Sequence, residues 1–158
     1  MTNVEMFLRD YWHAKRSIGR LKLALTEARA AYERGAADVR CTSSLQRVGR
    51  KRSGGESAVE RAAILLVDEL GAEVKAIEKR LMDERRTIAH IEAVVAAAGL
   101  HQQEMEYVRA RYFDNLSVEA VAQRMYCSTV TCWRLKKSAL EKIGAVLNGT
   151  RPVSACEA

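Results

Sequence analysis

Apolar residues recur along this chain at spacings of three and four, and no stretch alternates strictly between apolar and polar positions. Val4, Phe7, Tyr11, Ala14, Ile18, Leu21, Leu25, Ala28 and Tyr32 follow one another at those spacings without a break. They form the a/d seam of a heptad helix, predicted over about residues 4–34 with Gly35 as its stop. A second seam holds Ala63, Val67, Leu70, Val74, Ile77, Leu81, Ile88, Ile91, Val95 and Ala98, with Glu84 as its one polar position. It predicts a longer helix over 57–98, ended by Gly99. Such seams do not remain in water, because a lone helix needs tertiary burial. The two helices are therefore expected to pair as a long hairpin, or to pair with their copies in a homodimer.

Between the seams, residues 36–56 break the pattern. Thr42, Ser43 and Ser44 lead into Gly49-Arg50-Lys51-Arg52 and then Ser53-Gly54-Gly55. The stretch reads as a flexible basic loop of about twenty residues, longer than a simple turn requires. Arg47, Arg50, Lys51 and Arg52 are its candidate contacts to DNA phosphates; a solvated linker is the alternative.

After Gly99 the helices become short. Gln102 to Phe113 is amphipathic through Met105, Val108 and Tyr112, and Asp114-Asn115 supplies a turn. Ser117 is a candidate N-cap, with Glu119 placed to oppose the helix dipole. Val118, Val121, Ala122 and Met125 then recur at helical spacing. Tyr126 and Cys127 form a connection, Ser128 offers a second N-cap, and another helix follows. Its predicted inner face is Cys132, Leu135, Ala139, Leu140 and Ile143. Its predicted outer face carries Thr129, Val130, Thr131, Trp133, Arg134, Lys136 and Lys137. This is the layout of a helix-turn-helix. The expected fold class is all-α: a heptad hairpin over 1–99, a trihelical domain over 100–147 and a disordered tail over 148–158. A plain helical hairpin with a solvated basic face has the same pattern.

Charge fits this picture without deciding it. The chain has 26 basic and 20 acidic residues, a formal net charge of +6. Its distribution is more telling, since Arg124, Arg134, Lys136, Lys137 and Lys142 are opposed over that span by Glu141 alone. On a helix-turn-helix reading, Thr129, Thr131, Trp133 and Arg134 are candidate base readers, with Arg134 suited to bidentate guanine contact. Arg124, Ser128, Lys136 and Lys137 are candidate phosphate contacts. The partner is then double-stranded DNA.

Other chemistry finds little support. His13, His90 and His101 stand in separate segments, and Gly54-Gly55 lacks the context of a phosphate-binding loop, so no enzyme and no cofactor is expected. Cys41, Cys127, Cys132 and Cys156 form no C-x-x-C pair and have no histidine at zinc-ligand spacing. Cys132 reads as a small core residue, and neither a metal site nor a disulfide is expected. The charged first twenty residues do not resemble a signal peptide, and no apolar run approaches the roughly 18 residues of a membrane span. A cytoplasmic protein is expected.

The order of Leu116, Ser117, Glu119, Val121, Ala122, Ser128, Ala139, Leu140, Lys142 and Ile143 resembles the DNA-binding region 4 of sigma factors. The turn position usually held by Gly is Tyr126 here, so a reshaped turn is expected. Over most of its length the chain resembles the RinA/ArpU-type transcriptional regulators of phages and prophages. The shared order is two long helices around a Ser/Gly-rich basic loop, then Val108, Arg111 and Tyr112, then Leu-Ser-x-Glu-x-Val-Ala. Family members often carry an aromatic residue and a histidine where Val118 and Lys136 stand. The resemblance implies sequence-specific DNA binding and control of phage genes, often late genes, in a bacterial host. Two further readings stay open: a small phage DNA-packaging subunit, and a module that grips RNA polymerase or a sigma factor.

Overall fold

The computed structural model describes residues 3–45 and 58–149. Arg47, Arg50, Lys51 and Arg52, and the tail from residue 150, lie outside the described residues. The fold is all-α, with no strand among the described residues. Its elements are α1 (Asn3–Leu45), α2 (Ala58–Ala97), α3 (Gln102–Val108), a π-helical segment (Arg109–Phe113), α4 (Val118–Arg124) and α5 (Thr129–Leu147). Packing divides the chain at other places than residue 99. One unit comprises Met1–Ser17 with Glu84–Ala158, and the other is Ile18–Asp83. The first four turns of α1 and the last turns of α2 therefore share a core with the short helices.

In Ile18–Asp83, positions advancing along α1 meet positions receding along α2. Arg29 pairs with Glu78 at 2.6 Å, the Tyr32 ring lies over Gly71, and Gly35 faces Leu70 and Val67. The segments run antiparallel in this unit. Among its described residues Ala28 and Leu81 are the buried apolar ones, and the other predicted seam positions are half-buried, except Tyr32, which is exposed. The expected stop at Gly35 is overturned, because α1 continues to Leu45. A Cβ on Gly35 would lie 3.3 Å from Leu70 Cδ1. Glycine serves there as a recess for the opposing helix, and its cost in a helix interior, about 1 kcal/mol, does not end a run of helix formers. Residues 36–45, expected as loop, are accordingly helical.

In the other unit the core is built from Leu8, Ile91, Val95, Tyr107, Val108, Val121, Cys132, Ala139 and Ile143, all nearly or fully buried. Leu8 lies off the predicted seam, yet it is wholly buried because the short helices cover that flank of α1. Tyr11 stacks on Phe113, ring centroids 3.7 Å apart, and donates its hydroxyl to Glu92 at 3.1 Å. The helix expected over 102–113 is not uniform. Its last turn widens, with the amide of Asp114 donating to the carbonyl of Arg109 at 2.9 Å and that of Leu116 to Ala110 at 3.0 Å. The wider turn lets both Ala110 and Tyr112 be buried. Arg111 donates to the carbonyl of Leu116 at 2.6 Å, which fixes the chain where it enters α4. In the Val108, Arg111, Tyr112 motif, two residues fill the core and the third holds the next turn.

Candidate nucleic-acid interface

α4 begins at the Ser117 cap, whose Oγ accepts from the amide of Ala120 at 3.2 Å. Glu119 lies in its first turn, where hydrogen bonds from its own backbone amide and the Ser117 hydroxyl hold its carboxyl below the ordinary value. The helix ends in two reverse bonds: the amide of Cys127 donates to the carbonyl of Ala122 at 3.0 Å, and that of Tyr126 to Gln123 at 3.3 Å. This pair of bonds is a Schellman closure, which places the residue after the C-cap in the left-handed region. Tyr126 occupies it with φ 51°. The expected reshaping of the turn is therefore not found. The left-handed conformation is kept despite the side chain, which points into solvent at 98% exposure and so meets no packing constraint.

α5 starts one residue later. Ser128 Oγ accepts from the amide of Thr131 at 3.1 Å and lies 2.9 Å from Thr131 Oγ1. Cys127 stands just before this cap, and its Sγ is 3.5 Å from that of buried Cys132. Burial, then the neighbouring Cys127, pushes the Cys132 thiol up to about 11. The inner face of α5 is anchored through Cys132, Ala139 and Ile143. Further along, Glu104 is buried between α3 and α5. It accepts from the amide of His101 at 2.8 Å, from Ser138 Oγ at 2.6 Å and from Lys142 Nζ at 2.7 Å. Burial alone would raise this carboxyl, but the bonds from Lys142, Ser138 and His101 outweigh it and hold it below the ordinary value.

The predicted site residues separate into two groups. Thr129, Trp133, Arg134 and Lys137 are exposed on α5, together with Val130. At about 100° per residue they share one arc of about 140°. The remainder are engaged on the protein. Lys136, expected to meet phosphate, is only part-exposed, pairs with Glu5 of α1 at 2.5 Å and lies 4.9 Å from the Trp133 ring centroid. Its position on the helix, between the outer and inner faces, brings it within reach of α1. Thr131, expected to read bases, is part-buried and bound to the Ser128 cap, so neither hydroxyl stands apart from the cap. Arg124 is exposed but paired with Asp114 at 2.8 Å.

The sequence pattern did not single out Glu104 and Ser138 as residues that build this surface, whereas Tyr126 was marked as the turn position. Glu104 had a signal: it lies three residues after His101, the spacing at which a side chain turns back to a helix start. Ser138 is recognisable only through Glu104. Among the described residues there is no cluster of three or more potential metal ligands, and no helix is long and apolar enough to cross a membrane. No family model, curated protein or solved structure matches the chain.

Proposed function

We propose that this protein is a sequence-specific DNA-binding transcriptional regulator that reads the major groove with α5. The observation that carries the reading is the exposed arc of Thr129, Val130, Trp133, Arg134 and Lys137 on a helix capped at its N-terminus and anchored on its opposite face. These five side chains carry two cations and no acid, and exposed Glu141 follows one turn beyond Lys137 on the same side of the helix. Arg134 reads a guanine edge, Thr129 and Val130 meet base edges and thymine methyls near the helix start, and Lys137 meets phosphate. The α5 N-terminus adds its backbone dipole toward a phosphate. Arg124 joins the backbone contacts by exchanging Asp114 for phosphate. The order of motifs through Leu116 to Ile143, which resembles that of phage regulators, supports reading the regulated genes as those of a phage or prophage in the cytoplasm of a bacterial host. The protein acts without a cofactor and has no catalytic role.

A second reading takes its support from Tyr126, Val130 and Trp133, apolar side chains exposed at 98%, 59% and 55% around the start of α5. Exposed apolar surface of this kind also suits a protein partner, here RNA polymerase or a sigma factor.

The test is fluorescence anisotropy with labelled duplexes spanning the protein's own gene, at two salt concentrations and against random competitor. Binding that survives competitor supports the regulator. Binding that vanishes with salt and ignores sequence leaves only the electrostatic attraction of a basic protein for DNA. Capture of purified polymerase without DNA then favours the second reading.

A further inference from the structure

Cys127 and Cys132 stand one residue before and four residues after the Ser128 cap. At those two places a helix start is normally closed by a pair of apolar side chains in contact. Here the pair is two thiols, with sulfurs 3.5 Å apart. An aliphatic pair would perform the same packing, so the use of two sulfurs adds a chemistry that the packing does not need. Access differs between them: Cys132 is wholly buried, and Cys127 is part-exposed.

We propose that Cys127 and Cys132 are a redox modification site, converted by a hydroperoxide to an intramolecular disulfide that clamps the first turn of α5. The reachable sulfur of Cys127 attacks the peroxide. An S–O bond forms, the O–O bond breaks, and water (or an alcohol, from an organic peroxide) leaves with the thiol proton. The Cys132 sulfur then attacks the Cys127 sulfur. An S–S bond forms, the S–O bond breaks, and hydroxide takes the Cys132 proton and leaves as water. Two thiols and one peroxide thus give one disulfide, with two electrons passed to the peroxide. Burial shields Cys132 from direct oxidation, and its thiol proton passes to the departing hydroxide as the S–S bond forms.

Closure draws the sulfurs from 3.5 Å to about 2.05 Å. The clamped segment includes Thr129 and Val130, the first residues of the exposed arc. The consequence for DNA rests on the function proposed above. A displaced first turn loses roughly one base contact, and affinity for the specific duplex falls about tenfold.

The test uses the full chain, exposed to hydrogen peroxide, alkylated under denaturing conditions and digested with trypsin. Cleavage after Arg124 and Arg134 leaves both cysteines in one peptide, Met125–Arg134. The expected peptide is two hydrogens lighter than the dithiol, refuses alkylation, and regains it after dithiothreitol. In Cys127→Ser, Cys132 is expected to remain an alkylatable thiol throughout. The proposal is overturned by a peptide alkylated twice after peroxide, by oxygen atoms accumulating on Cys127 without the disulfide, by bonding of Cys127 to Cys41 or Cys156, or by equal oxidation of Cys132 in Cys127→Ser. Anisotropy of the reduced and oxidised forms then reads the consequence separately. Equal binding by both forms overturns the clamp's effect on DNA. Absence of binding by the reduced form defeats the DNA reading and leaves the disulfide result standing.

Discussion

Glu104 and Lys142 lie on different helices, 38 positions apart in the chain, and meet at 2.7 Å with the carboxylate almost fully buried. Two further donors, the Ser138 hydroxyl and the His101 amide, complete the coordination of the same carboxylate. One side chain thereby starts α3 and fixes α5 against it. Glu104→Gln keeps the volume but removes the charge and one acceptor oxygen. We expect a loss of about 1–3 kcal/mol, read as a lower urea midpoint at unchanged slope. Glu106→Gln, on the exposed side of α3, serves as the control and should stay within about 0.5 kcal/mol of the parent.

The same carboxylate sets an acid limit. Its folded-state value lies below the ordinary one, so the unfolded chain takes up a proton first as pH falls. The stabilisation is complete above the ordinary carboxylate value, 4.5, and is lost as pH drops through the depressed one. At the alkaline end, burial raises Tyr107 to about 12 and raises Tyr112 as well. Their contribution is complete below the ordinary value of 10.0 and is lost as pH climbs above it, because the unfolded phenols ionise first. Urea midpoints measured across pH should form a plateau that falls at both ends. In Glu104→Gln the acid fall should be shallower and the alkaline fall unchanged.

Tyr126 holds a left-handed conformation, which costs a residue with a side chain about 1–2 kcal/mol, and nothing packs on its ring to offset that. Part of the relief given by Tyr126→Gly is lost to the greater freedom of glycine in the unfolded chain. The net expectation is a gain of about 0.5–1 kcal/mol, seen as a higher thermal midpoint. A variant that is more stable yet binds DNA less well would assign the ring to the interface.

Three cations of α5 should separate by function. Arg134→Ala is expected to cost about 1–3 kcal/mol on the specific duplex and little on random DNA. Lys137→Ala should weaken both alike and lower the slope of log affinity against log salt by about one. Lys136→Met breaks the pair with Glu5, so stability should fall by about 1 kcal/mol while the salt slope stays that of the parent. Anisotropy titrations over a salt series, paired with thermal melts, check all three.

Much of this arrangement was legible along the chain. The heptad spacing marked the inward positions of α1 and α2 apart from exposed Tyr32, and serine marked the starts of α4 and α5 where their hydroxyls do cap. What the spacing did not reveal depended on neighbours distant in the chain. Leu8 is buried by helices that follow residue 100, and Lys136 is held by Glu5. Gly35 resembles a helix stop until Leu70 is known to fill the space beside it. The widened turn at Arg109–Phe113 leaves no mark in residue type, since it differs from an α-turn only in which carbonyl each amide selects. Cys127 and Cys132 occupy the places that flank the Ser128 cap, a relation legible in the spacing, but the 3.5 Å approach of their sulfurs is visible only in the fold.

Gly35 and Gly71 face large side chains of the opposite helix, Leu70 in one case and Tyr32 in the other. Sliding α1 along α2 by a turn would set both bulky groups against residues with side chains. Alignment is thus written into the two helices as matched notches, not dictated by the length of chain joining them. Adding or removing residues between Leu45 and Ala58 should leave that alignment unchanged, which makes the junction a natural place to insert a reporter or a tether.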